Sequence, residues 1–136
     1  MKHYAVIDTN VLVSSLLSPH PDSATVLIRN HIANGDLVPL FNAEILAEYR
    51  SVLARPKLGL PENLAAAVLD VINAVGFPLA RTASTESFPD PKDVVFYEVA
   101  LSKEDAYLVT GNIKHFPKKP FVVTPAEMLA IIEEND

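Results

Sequence analysis

One stretch near the start of the chain decides the fold, and it reads Val6-Ile7-Asp8-Thr9-Asn10-Val11-Leu12-Val13-Ser14. With Tyr4-Ala5 before it, the pair Val6-Ile7 predicts a short buried strand. The apolar residues from Leu12 to Leu17 predict a brief helix, which Ser18-Pro19-His20-Pro21 ends. A buried strand that passes through a few polar residues into a helix is typical of a sheet whose strands are connected by helices.

The rest of the chain continues this alternation of helices and strands. Further strands are predicted at Val38 to Phe41, Phe77 to Ala80, Ala106 to Thr110 and Phe121 to Thr124. Further helices are predicted from an Asp22 or Ser23 cap to about Ala33, from an Asn42 cap to Arg55-Pro56, from Glu62 to Val75, from Asp90-Pro91 to about Lys103 and from Pro125 to Glu134. Pro39 favours a position for its strand away from the centre of the sheet, or a place for itself at the strand's edge. The alternation predicts an α/β fold around a mostly parallel sheet that is covered on both faces.

The composition limits the class of protein. The chain has 136 residues, of which 49% are hydrophobic, and it has no cysteine. We expect one soluble domain over residues 1–136, because a chain of this length builds a core without disulfides. The lack of cysteine excludes thiol nucleophiles and Cys-bearing zinc sites, and it favours a reducing compartment, the cytoplasm. The apolar run at the start is too short for a signal peptide or a membrane span, so no membrane association is expected. The four glycines are scattered, which excludes glycine-rich phosphate loops.

Polar side chains follow two of the predicted strands. Asp8, Thr9 and Asn10 end the first strand, and Thr110-Gly111-Asn112 ends a later one. Ligands of parallel sheets bind beyond the carboxyl ends of the strands, so these residues are candidates for a site. Simpler interpretations stay open at this point, because Asp8 would also serve as a helix cap and Thr110-Gly111-Asn112 as a plain turn.

Two further acids are candidates for the same site. Glu48 lies at the border of the apolar face of its helix, where most glutamates are simply solvated. Asp93 lies three residues after Asp90, where an acid is often the partner in a capping box. If Asp8, Glu48 and Asp93 meet with Asn112 nearby, their oxygen atoms suit Mg²⁺ or Mn²⁺. Without a cation, two carboxylates about 4 Å apart repel by roughly 4 kcal/mol, so such a cluster is costly to the fold.

Four motifs of the chain resemble, in their order and spacing, those of the PIN domain family. They are Val6 to Ser14, Ile45-Leu46-Ala47-Glu48-Tyr49, Asp90-Pro91-Lys92-Asp93 and Leu108-Val109-Thr110-Gly111-Asn112. More narrowly, they resemble the branch of toxin components from bacterial toxin–antitoxin pairs. The resemblance implies a three-layer α/β/α sandwich with a mostly parallel sheet of about five strands. It also implies an endoribonuclease that hydrolyses phosphodiester bonds in RNA with a water activated by Mg²⁺ or Mn²⁺.

The resemblance assigns roles to residues that match the motifs. It implies that the catalytic and metal-holding acids are Asp8, Glu48 and Asp93, and that the supporting polar residues are Thr9, Asn10 and Thr110. The fourth acidic position of the family corresponds to Asn112. An amide binds a cation through its carbonyl but adds no charge, so a second metal ion is expected to bind more weakly. Asn112 also keeps an alternative open, a PIN-like RNA-binding or protein-interaction module with weak catalysis.

The resemblance further implies RNA as substrate, a cognate antitoxin as partner and a homodimer. The basic residues considered for RNA contacts are Arg50, Lys114 and Lys119, with Arg55, Lys57 and Lys118 as further candidates, although such side chains are often only solvated. His115 is a candidate for a general base or a phosphate contact, but we expect an ordinary loop residue. The formal net charge of -6 argues against a broad electrostatic grip on nucleic acid. It does not argue against local cutting, because a bound divalent cation reverses the sign of the field at the site.

Overall fold

The structure is a computed structural model that describes residues 2–134. Met1 and Asn135-Asp136, which belong to the predicted domain over residues 1–136, lie outside the described residues. The strands are β1 (His3–Ile7), β2 (Leu37–Phe41), β3 (Phe77–Pro78), β4 (Tyr107–Val109) and β5 (Val122–Val123). The α-helices are α1 (Thr9–Leu17), α2 (Ala24–Asn34), α3 (Ala43–Leu53), α4 (Leu64–Val75), α5 (Val94–Ala100) and α6 (Pro125–Glu134).

The strands form one parallel sheet in the order β3-β2-β1-β4-β5. The first strand of the chain is therefore the central one, and its carboxyl end stands beside that of β4, with Ile7 paired with Val109. β2 lies next to the central strand and pairs with both β1 and β3, and Pro39 stands opposite Ala5 in the middle of the strand, so the expected place for Pro39 at the strand's edge is wrong.

Helices cover both faces of the sheet. Side chains of a strand alternate between its two faces, so Val6 joins the core with α3, α4 and α5, whereas Ala5 and Ile7 join the core with α2 and α6. The first helix contributes to both layers, because Leu12 packs in one core and Val11 in the other. The three-layer α/β/α fold expected from the sequence is confirmed. None of the helices between residues 2 and 134 combines the length and the apolar character that a membrane span needs.

Two helices differ from the sequence-based boundaries near the polar residues of interest. The first helix begins at Thr9 and not at Leu12, because the carbonyl of Asp8 already accepts bonds from the N–H groups of Val11 and Leu12. The helix predicted from Asp90-Pro91 begins as a 3-10 turn over Pro91–Asp93 and ends at Ala100. It is shorter than predicted, because the chain must turn back into β4.

Candidate active site

The candidate site lies where β1 and β4 end side by side. The N–H of Asp8 donates to the carbonyl of Val109 at 2.9 Å, which extends the pairing of the two strands to their last residues. Asp8 Oδ2 then accepts a hydrogen bond from Thr110 Oγ1 at 2.7 Å and one from Asn10 Nδ2 at 3.3 Å. Asp8 is the N-cap residue of α1, as the simpler interpretation expected, but its side chain makes no capping hydrogen bond and accepts from Thr110 and Asn10 instead. The sheet register holds this carboxylate in place.

Asp8 is an acid in a buried environment. Its exposed fraction is 7%, and Thr110 beside it is fully buried. Burial raises the pKa of Asp8 above its ordinary value, and the charge of Glu48 adds to the rise. The hydrogen bond from Thr110 and the charge of His115 oppose the rise. The surroundings of Asp8 therefore disfavour its charge when no cation is present.

Asp93 reaches the same place from the 3-10 turn before α5. The capping bond at that turn is made by Asp90, whose side chain accepts from the N–H of Lys92 at 2.9 Å, and Asp93 makes none. Asp93 Oδ2 is buried and has no hydrogen-bond partner among the described residues, although His115 Nδ1 lies 3.5 Å away. Burial, followed by the charges of Asp8 and Asp90, raises the pKa of Asp93 to about 6. The interpretation of Asp93 as a capping-box partner is wrong.

Glu48 lies on α3 next to Tyr49, which connects that helix to the central strand. The hydroxyl of Tyr49 is fully buried and donates to the carbonyl of Ile7, the last residue of β1, which joins α3 to the end of the central strand. Glu48 itself is half-buried, and its carboxylate makes no hydrogen bond or ion pair within residues 2–134. Its charge raises the pKa of both Asp8 and Asp93, so the three acids interact electrostatically. The sequence shows Tyr49 as part of an apolar helix face but gives no sign of this bond.

These acids share one open cleft of about 640 Å³, here called the carboxylate cleft. Its polar lining includes Asp8, Thr9, Asn10, Glu48, Asp90, Asp93 and His115. Within residues 2–134, no three histidines or acids stand close enough to enclose a metal ion by themselves. Mg²⁺ usually keeps several waters and takes only one or two carboxylates, so an open cleft with mutually repelling acids and an unbonded Asp93 oxygen fits a hydrated divalent cation.

Asn112 is not brought into the carboxylate cleft. Its backbone N–H donates to Thr110 Oγ1 at 2.9 Å, so the Thr110 hydroxyl connects Asp8 on one side with Asn112 on the other. Asn112 lines a neighbouring pocket with Lys114 and Thr124, and His115 lines both that pocket and the cleft. His115 therefore lies at the site, with its ring 3.5 Å from Asp93, and is not the ordinary loop residue that the sequence led us to expect.

The basic residues are distributed differently from the sequence-based expectation. Lys119 forms an ion pair with Glu86 at 3.2 Å, Lys114 lines the neighbouring pocket, and Arg50 is exposed and does not line the carboxylate cleft. The cations that line the cleft are Arg55, Lys57 and Lys92. Arg55 and Lys57 lie after the end of α3, at and within the 3-10 turn Pro56–Leu58, so helical periodicity does not show that both line the cleft.

Sequence reasoning missed Arg81 altogether. Its guanidinium donates to Glu44 on α3 and to the buried Glu98 on α5, both at 2.8 Å, and it lines a small depression behind Glu48. Arg81 thus joins α3, which carries Glu48, to α5, which follows Asp93. It lies in a polar, irregular segment, which gives no periodic signal that would single it out.

Comparison with known proteins agrees with this architecture. The sequence model described as the PIN domain matches residues 4–114, from the start of β1 to just beyond β4. No curated protein matches the chain. PIN domains are generally nucleases, so the match indicates nuclease-type activity. The matched range is most of the chain and contains every acid of the carboxylate cleft. The chain therefore belongs to the PIN domain family.

Proposed function

We propose that this protein is an endoribonuclease that depends on Mg²⁺ or Mn²⁺ and uses Asp8, Glu48 and Asp93 as its catalytic acids. The observation that carries the proposal is the meeting of these three carboxylates in one cleft, where the surroundings raise the pKa of Asp8 and Asp93. A fold keeps such repelling charges at a cost, and a cation would remove the repulsion. The open cleft leaves room for a polymer to approach.

The residues of the cleft would have three roles: to hold the cation, to orient its ligands and to attract RNA. Asp8 and Asp93 would hold the cation, with Glu48 as a third acid, and Thr110 and Asn10 would keep the carboxylate of Asp8 in one orientation. A bound Mg²⁺ or Mn²⁺ would neutralise the phosphate and lower the pKa of a water for attack on phosphorus. Arg55, Lys57 and Lys92 would attract the RNA backbone to the cleft.

Asn112 bears on the number of metal ions. Its side chain is neutral and Asn112 lines the neighbouring pocket, so the segment after β4 adds no carboxylate to the acids of the cleft. This arrangement favours a single hydrated cation over a pair of metal ions. It also supports the second candidate, a PIN-like RNA-binding or protein-interaction module whose catalysis is weak.

The resemblance to toxin components also suggests a role in the cell. We propose one nuclease domain over residues 1–136 that acts in the cytoplasm as the toxin of a toxin–antitoxin pair, forms a homodimer and is held inactive by an antitoxin protein. A small antitoxin gene beside this one and growth arrest on expression would support that role. An isolated gene whose expression is harmless would contradict it.

Cleavage of defined RNA is the direct test. Purified protein is incubated with short RNA in Mg²⁺, in Mn²⁺ or in EDTA, and the products are separated on a gel. We expect cleavage only with metal, and we expect Asp8→Asn to abolish it. Asp70→Asn makes the same chemical change on an exposed residue of α4 and should leave cleavage unchanged. Equal cleavage by Asp8→Asn and the wild type would reveal a contaminant, and RNA binding without cleavage in any metal would favour the second candidate.

A further inference from the structure

The carboxylate cleft continues past the acids along two helices that lie side by side. On α1 its lining passes from Thr9 to Val13 and Leu17, and on α3 it passes from Glu48 to Val52. These residues are four apart, so each set forms one stripe along its helix. The lining changes along both stripes from polar to apolar with distance from the acids.

The apolar part of the cleft consists of Val13, Leu17, Val52 and Leu58, here called the apolar shelf. Leu17 is 47% exposed, which as a single surface leucine would be ordinary. Here it is one of four apolar side chains that share a cleft with charged groups. Ser14, the polar neighbour on α1, is already hydrogen-bonded with Thr25, so the shelf offers contact area with few free hydrogen-bonding groups.

Two cations border the apolar shelf. Arg55 is the extended residue between the end of α3 and the 3-10 turn Pro56–Leu58, and Lys57 lies within that turn. Neither side chain forms an ion pair or a hydrogen bond within the described part of the chain. Arg81 and Lys119, by contrast, are paired with acids. The free cations thus line the same cleft as the apolar shelf and the acids.

We propose that the apolar shelf is a nucleobase subsite, which takes the unpaired base of a nucleotide next to the scissile phosphate while Arg55 and Lys57 hold its backbone. This proposal rests on the proposed function. A nucleotide joins an apolar ring face to a charged phosphate, which is the combination that the shelf and its two cations match. Bases in a duplex are stacked and paired, so the subsite selects single-stranded RNA. With few free hydrogen-bonding groups it tolerates any base.

The test compares RNA with an abasic chain of the same length and charge. Binding of fluorescent single strands is measured by anisotropy in Mg²⁺, with Asp8→Asn in every protein to prevent cleavage. We expect the Asp8→Asn protein to bind normal RNA about fivefold more tightly than abasic RNA. Adding Leu17→Ser should reduce this preference to below about twofold, whereas Leu17→Met should keep it. Leu101→Ser is the matched control, because Leu101 is an exposed leucine outside the cleft.

Each result decides the proposal. An equal preference for normal RNA in Leu17→Ser and Leu101→Ser would overturn the subsite, and so would the absence of any preference in the Asp8→Asn protein. Failure of the proposed function looks different. If the wild type cleaves no RNA in any metal but the preference depends on Leu17, the nuclease is refuted and the subsite stands. If the wild type cleaves RNA and the preference does not depend on Leu17, the nuclease stands and the subsite is refuted.

Discussion

Thr110 Oγ1 lies 2.7 Å from Asp8 Oδ2, although 102 residues separate the two along the chain. Both residues are buried, and both stand directly after strands that pair side by side. The bond favours the charged form of Asp8, against the burial that disfavours it. The sheet thus supplies, through a hydroxyl at the end of β4, part of what a carboxylate at the end of β1 needs in order to stay ionised.

Replacing Thr110 by valine should weaken both the fold and the site. Valine keeps the shape but leaves the Asp8 carboxylate without its best donor, and the N–H of Asn112 loses an acceptor. We expect the free energy of unfolding to fall by about 1–2 kcal/mol. The pKa of Asp8 should rise further, so metal binding should move to higher pH. Urea denaturation and Mn²⁺ titrations at several pH values measure both effects, and Thr110→Ser, which keeps the hydroxyl, should lie close to the wild type.

Asp93 should make the metal-free protein less stable as the pH rises. Its pKa is about 6 in the folded protein against 3.8 ordinarily, so the folded state binds more protons between these values. Stability should therefore fall from about pH 4 to about pH 6, by about 1–2 kcal/mol when solvent screening in the open cleft is allowed for. Asp93→Asn should flatten this part of the curve and stabilise the protein at pH 7. Urea denaturation in EDTA would contradict the expectation if both curves had the same slope.

Added metal should stabilise the wild type more than Asp93→Asn, the opposite of the order expected for the two metal-free proteins. At pH 7 a divalent cation that binds the folded protein stabilises it by mass action, so added Mn²⁺ should raise the Tm of the wild type. Asp93→Asn removes one ligand and should respond less, even though it starts from the higher Tm. Thermal denaturation with increasing Mn²⁺ measures the difference. An equal rise in Asp93→Asn and in the wild type would remove Asp93 from the metal site.

The features of the fold that the sequence predicts are those set by residues close together in the chain. The junction at Asp8-Thr9-Asn10 follows from neighbouring residues alone, and its place at a strand's carboxyl end was predicted. The alternation of helices and strands likewise gave the parallel sheet. The order β3-β2-β1-β4-β5 depends on which strands pair, which no local pattern shows. The predicted length of α5 is wrong because no glycine marks the turn that leads back into β4. At that turn Asp105 takes a φ of 66°.

The site divides in the same way. The expectation that polar residues after strands meet holds for Asp8 and Thr110, because strand pairing sets their distance. It does not hold for Asn112, which lies two residues beyond Thr110 and lines the neighbouring pocket. Lys119 pairs with Glu86, which lies 33 residues earlier in the chain, and the sequence gives no sign of this ion pair.

Arg81→Met should separate the two helices that Arg81 connects. Glu98 is buried, and it would lose one of its charge-assisted hydrogen bonds while keeping the one from the N–H of Ser84. We expect a loss of about 1–2 kcal/mol in the free energy of unfolding. Glu44→Gln should cost less than about 0.5 kcal/mol, because that end of the ion pair is exposed. Urea denaturation of both variants would contradict this assignment if Glu44→Gln cost as much as Arg81→Met.

Tyr49→Phe should act on Glu48 through the backbone. The substitution removes the hydroxyl that joins α3 to the carbonyl of Ile7 and leaves the ring in place. Because the bond is buried, its loss should cost about 1–2 kcal/mol of stability. Glu48 is the next residue on the helix, so RNA cleavage should slow while the affinity for Mn²⁺ changes as it does in Glu48→Gln. Comparing single-turnover cleavage and Mn²⁺ titrations of the two variants tests this link. A Tyr49→Phe protein that is less stable but cleaves at the wild-type rate would show that Tyr49 supports the fold without placing Glu48.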